Sequence, residues 1–105
     1  MKQLRPAELS ARLAAGERVQ LIDVRERWEF QTARIEGSTS IPMGEIASRI
    51  GELDPQTEIV VICHHGGRSM QVAAFLERQG FSAVNNLTGG VDAWARNIDP
   101  SVPLY

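Results

Sequence analysis

The sequence predicts an α/β fold, a central parallel sheet with helices on both faces, and three observations predict it. Short β-favouring runs at residues 19–24, 39–42, 59–62 and 83–87 alternate with segments of helical spacing, as expected where helical crossovers join parallel strands. The run Ile59-Val60-Val61-Ile62 has no polar residue, which suits a strand covered on both faces at the centre of such a sheet. No internal repeat, low-complexity tract or long linker interrupts the 105 residues. Residues 1–105 therefore read as one domain, long enough to bury about two-thirds of its unfolded surface.

The elements follow in order. Residues 6–16 make a short amphipathic helix, with Pro6 in the first turn, Leu9 and Leu13 four apart and Gly16 at the stop. Residues 19–24 are a mainly apolar strand that turns charged at Arg25-Glu26-Arg27, so Asp23 and Arg25 lie at its carboxyl end. Residues 28–33 supply one or two helical turns before Gly37. Thr39-Ser40-Ile41-Pro42 is a brief strand stopped by proline; Met43, Ile46 and Ile50 then recur at helical spacing until Gly51. The strand at 59–62 leads into a loop, and Val72, Phe75, Leu76 and Gln79 mark a helix closed by Gly80 and Phe81. Residues 83–87 form one more strand, and a helix at 91–96 carries Trp94; both Trp94 and Trp28 read as core or hinge packing. The tail from Asp99 to Pro103 reads as extended chain laid over the surface.

Charge and cysteine usage exclude several functions. A net charge of -2 from 13 acidic and 11 basic residues, spread without blocks, leaves no footprint for nucleic acid or an anionic membrane. The single cysteine forms no internal disulfide, and Met1-Lys2-Gln3-Leu4-Arg5-Pro6 lacks the apolar run of a signal peptide or spanning helix. A cytoplasmic location is expected.

The chemistry concentrates at Cys63-His64-His65-Gly66-Gly67-Arg68, a six-residue loop between the buried strand and the next helix. Such a loop gathers unpaired backbone N–H groups and the positive end of a helix dipole around one point. A cysteine placed there is expected to favour the nucleophilic thiolate. Ser69 is expected to be a first-turn hydrogen-bonder, and Asp23 and Arg25 a structural pair bracing the loop from below. His64 and His65 beside a cysteine raise the question of a metal. Neighbouring side chains project in different directions, however, and no further ligand set has zinc-like spacing, so no metal site and no cofactor is expected.

These residues resemble the active-site loop of the rhodanese family of sulfurtransferases. Three further stretches match in order and spacing: Asp23-Val24-Arg25-Glu26, Ile35-Glu36-Gly37-Ser38, and Leu87-Thr88-Gly89-Gly90-Val91-Asp92-Ala93-Trp94. Where members commonly carry a histidine before the Ile-x-Gly step, this chain has Arg34. The resemblance implies a rhodanese-like three-layer domain with about five parallel strands, and a ping-pong reaction through a Cys63 persulfide. Thiosulfate would be the donor, and cyanide or a thiol the acceptor, a thioredoxin-like protein among the candidates. Gly66 and Gly67 would let the backbone curl around the sulfur. Arg68 would take the sulfonate oxygens of thiosulfate through its planar fork, and His64 and His65, when protonated, would help hold the anion.

Loop length separates two enzyme readings. Cysteine phosphatases that share this device place five residues between cysteine and arginine; here there are four, and the longer register would fall on Ser69. The shorter ring suits a sulfur atom better than a tetrahedral phosphate, which ranks phosphatase or arsenate reductase activity lower. The Cys-Gly-Ser-Gly-x-Thr pattern of mercaptopyruvate-using relatives is also absent, and a cationic loop points to thiosulfate. The alternative from another class is a module that carries a persulfide to a partner protein, or docks on one, with little free turnover.

Overall fold

In the computed structural model, which describes residues 1–105, five strands and four α-helices alternate except between the third and fourth strands, which 3-10 turns connect. They are β1 (Lys2–Leu4), α1 (Pro6–Ala14), β2 (Gln20–Asp23), α2 (Arg27–Thr32), β3 (Thr39–Ser40), β4 (Ile59–Ile62), α3 (Gly67–Arg78), β5 (Val84–Leu87) and α4 (Gly90–Asn97). The strands are all parallel, in the order β1-β5-β4-β2-β3. β4 lies in the middle, and each of its four residues is fully buried. Alternation along β4 divides the core: Ile59 and Val61 point into a cluster with Val72, Ala73 and Leu76 of α3, while Val60 and Ile62 join Leu9 of α1 and Val91, Trp94 and Ala95 of α4. Helices thus cover both faces, as expected. No helix is long and apolar enough to cross a membrane.

The strand order positions the site. The chain leaves β2 outward to β3 and leaves β4 the other way to β5, so the connections diverge between these two neighbours. In open parallel sheets a crevice opens at such a switch point, beyond the carboxyl ends of the strands. Cys63 follows β4 there, and Asp23 ends β2 beside it, in register with Ile62.

Three elements depart from expectation. The edge strand β1 carries no sequence signal: Lys2 and Gln3 are exposed, only Leu4 is buried, and pairing with β5 makes the strand. Residues 43–52 hold two separate 3-10 turns, Met43–Glu45 and Ile50–Glu52, instead of one helix. Gly44, Ser48 and Gly51 weaken α-helix formation there, while Ile46 still reaches the core. The helix after β4 begins at Gly67, so Arg68 and Ser69 sit in its first turn.

The start of α4 packs directly on the loop after β4. The amides of Val91 and Asp92 donate to the carbonyls of Cys63 (2.9 Å) and His64 (3.1 Å). Gly90, with φ +58°, makes this approach possible, because a Cβ there would collide with the Cys63 carbonyl oxygen and lie 2.5 Å from that of His64. Gly90→Ala is therefore expected to destabilise the fold by about 1–3 kcal/mol, through both strain and the clash. A urea melt checks this, and an unchanged midpoint would show that the loop and α4 separate at little cost.

Candidate functional site

Cys63 sits where β4 gives way to the loop, and its sulfur turns inward. The Gly66 amide donates to Sγ at 3.0 Å, and Ser69 Oγ lies 3.3 Å from it. Gly66 adopts φ +110°, a left-handed conformation that favours glycine, where the loop turns into α3. The amides of His64, His65, Gly67, Arg68 and Ser69 donate to no protein atom. Together with the N-terminus of the 12-residue α3, they make the loop a region of positive partial charge. One point differs from the expectation of a sulfur at the mouth of the sheet: Cys63 is 1% exposed. The short ring folds Sγ between Gly66 and buried Ser69, so a donor meets an enclosed sulfur.

Ser69 is itself held. Its hydroxyl lies 3.1 Å from the Gly66 carbonyl oxygen and makes a short hydrogen bond to Oδ1 of Asn86, whose Nδ2 donates to Gln3 Oε1 at 2.9 Å. A residue of β5 thus reaches the cysteine through one side chain. Sequence reading passed over Asn86, although two adjacent asparagines in a fully buried strand were the available signal.

Below the loop, Asp23 and Arg25 pair with both side chains fully buried. Arg25 Nε and Nη2 donate to the Asp23 carboxylate at 2.9 and 2.7 Å, Nη2 also to the Ala33 carbonyl at 2.5 Å, and Nη1 to Tyr105 Oη at 2.5 Å. Tyr105 Oη in turn donates to Glu29 Oε2 at 2.9 Å. The tail does more than lie on the surface: Tyr105 stacks on His64, with centroids 4.1 Å apart and planes 12° off parallel. Trp28 packs edge-on against Tyr105 but remains 60% exposed, so it is no core residue.

The loop is less cationic than its composition suggests. Arg68 donates through Nη1 and Nη2 to the two oxygens of Glu29 at 2.7 and 2.9 Å, a bidentate pair. The Glu29 side chain is 6% exposed, and its carboxylate is also fixed by the Glu26 amide at 3.0 Å. The Arg68 hydrogen bonds, with smaller help from the Glu26 amide and Tyr105, hold the Glu29 carboxyl down at about 2. His64 is pushed below its ordinary value by burial and by His65, and its Nε2 is buried without a partner. His65 is largely exposed, 3.9 Å from Asp92 Oδ2. The two imidazoles do not diverge as expected: their centroids are 3.9 Å apart, and with Asp92 they bring ligand atoms within 4.8 Å of one another. Arg96 already pairs with that aspartate at 3.0 Å. Glu29, Asp92 and Tyr105 all come from distant segments, so nothing near the loop in sequence announced them.

Comparison with known proteins gives a consistent picture. The family model for the rhodanese-like domain matches residues 5–97. A sulfurtransferase of Allochromatium vinosum is 40% identical over 94 residues, which cover 90% of this chain and 88% of that protein. The rhodanese-like/PpiC domain-containing protein 12, chloroplastic, of Arabidopsis thaliana is 42% identical over 90 residues; the match covers 82% of this chain but 30% of that protein. Among solved structures, a rhodanese-like domain protein from Staphylococcus aureus superposes with a TM-score of 0.87 at 28% identity, covering 100% of this chain and 99% of that one.

Two outcomes follow from the Glu29–Arg68 pair. Arg68→Ala leaves a nearly buried carboxylate without its cation, so it is expected to cost about 1–3 kcal/mol in a urea melt. An exposed loop arginine without a partner would cost almost nothing. Because Glu29 titrates lower in the folded protein than its ordinary 4.5, its stabilising contribution is complete above that value. It is lost as pH falls toward about 2. Glu29→Gln is expected to flatten the acid limb of stability across that window; an unchanged limb would mean that other carboxylates carry it.

Proposed function

From the premise that this chain belongs to the rhodanese-like domain family of sulfurtransferases, we propose that it transfers sulfane sulfur through a persulfide on Cys63. In the first step the Cys63 thiolate attacks the outer sulfur of thiosulfate. A new S–S bond forms, the old one breaks, and sulfite leaves with the electron pair. In the second step cyanide or an acceptor thiolate attacks that outer sulfur, and the Cys63 thiolate is regenerated as leaving group. The observation that carries this reading is the Gly66 amide aimed at Sγ inside a six-residue loop whose other amides are unpaired. Such a cup stabilises an anionic sulfur, both as thiolate and as persulfide. Ser69 holds the sulfur from the other side, and Asp23 and Arg25 act as a brace that does not touch substrate.

A second reading draws support from the enclosure of Cys63. A carrier that releases its sulfur only to a docked thiol protein, a thioredoxin-like fold among them, benefits from a persulfide shielded from water and stray thiols. Intact mass after incubation with thiosulfate, followed by cyanide, tests both. The expected result is gain of one sulfur atom in the wild type and none in Cys63→Ser, with discharge to thiocyanate. Loading that cyanide does not discharge but a protein thiol does would select the carrier. No loading, with turnover of an aryl phosphate, would replace sulfur transfer by phosphatase chemistry.

A further inference from the structure

We propose that Glu29 sets the donor preference of the Cys63 site: by neutralising Arg68 beside the loop, it disfavours the thiosulfate dianion and favours organic persulfides carrying one negative charge or none. The inference rests on the sulfur-transfer reading and specifies its substrate class. Every full positive charge around the cysteine already has an opposite partner or is suppressed. Arg68 is locked two-to-two onto Glu29, and Arg25 is locked onto Asp23 with both side chains buried. His65 stands beside Asp92, which Arg96 also contacts. His64 is sandwiched between Tyr105 and His65, with Nε2 cut off from water.

Glu29 is well built for this role. Its carboxylate accepts from Arg68 of α3, from Tyr105 of the tail and from the Glu26 amide at the start of α2 at once, so it is held in place facing the guanidinium. For an incoming anion the loop therefore offers amide dipoles and a helix end, and no free cation. Dipoles of that kind suffice for a single charge on sulfur. A dianion loses more hydration on entering an enclosed site and finds no countercharge to replace it. With an organic persulfide the chemistry is complete without a sulfonate: the Cys63 thiolate bonds to the outer sulfur of R–S–SH, the S–S bond of the persulfide breaks, and the thiolate R–S⁻ leaves with the pair.

The experiment measures kcat/KM for thiosulfate and for hydroxyethyl persulfide and follows their ratio. Glu29→Gln keeps the shape and frees the guanidinium, and is expected to raise the thiosulfate-to-persulfide ratio about tenfold at low salt. Adding Arg68→Met should return the ratio to within about twofold of the wild type, because the freed cation is then gone. A ratio unmoved by Glu29→Gln, or still raised in the double variant, overturns the proposal. Should Glu29→Gln fail to fold, the wild type decides: kcat/KM for thiosulfate should change less than about twofold between low salt and about 0.5 M, whereas a steep fall would reveal a free cation and sink the idea. Loading from neither donor overturns the sulfur-transfer reading, and this one with it; loading with an unchanged ratio overturns this one alone.

Discussion

Two backbone hydrogen bonds, Val91 to the Cys63 carbonyl and Asp92 to the His64 carbonyl, are the constraint on which the site depends. In a trans peptide the C=O and the following N–H point in opposite directions, and no bond in this chain is cis. Once α4 takes the carbonyls of Cys63 and His64, the amides of His64 and His65 must face away from α4, where they meet no protein acceptor. The freedom of these two amides is thus a consequence of how the last helix docks. That docking in turn requires a residue without a side chain at position 90. The family-like Gly89-Gly90 step lies far from Cys63 in sequence, yet it shapes the cysteine loop as directly as Gly66 does.

Beneath and beside that backbone cup lies a chain of charged groups linked by one phenol. Tyr105 Oη receives from Arg25 and donates to Glu29, so it joins the Asp23–Arg25 pair to the Glu29–Arg68 pair. Buried ion pairs add little net stability, because desolvation offsets most of the attraction. Their use here is positional: the ends of β2 and α2 and the first turn of α3 are held in one arrangement around the sulfur. Burial, opposed by Arg25 and reinforced by Glu29, pushes Tyr105 up to about 12, so the phenol stays protonated and keeps its donor role.

The sequence made the centre of the molecule legible and left its edges and charges obscure. β4 was readable because four β-branched residues in a row fit only a fully covered strand, and the loop because cysteine, paired glycines and arginine share a short span. β1 was not, since Lys2 and Gln3 look like solvent-facing chain and acquire strand geometry only by pairing with β5. The stretch at 43–51 keeps helical spacing in its apolar residues while its glycines and serine break the helix into 3-10 turns, so periodicity and propensity disagreed and propensity prevailed. Arg68 was half legible: its charge was visible, but the partner that balances it, Glu29, lies 39 residues earlier. Trp28 was not legible, because a large apolar residue on a short helix has no obligation to be inside.

The enclosure of Cys63 bears on how a persulfide would be accommodated. An added sulfur extends the side chain by about 2 Å along the S–S bond, and the negative charge moves outward with it. The Gly66 amide, now 3.0 Å from Sγ, would then address the inner sulfur, and the unpaired amides of the loop would be the donors left for the outer one. A loop with one amide on the resting sulfur and several uncommitted ones has hydrogen-bonding capacity to spare for a longer anion. The proposed ping-pong route requires an intermediate stable enough to wait for its acceptor, and spare donors serve that need.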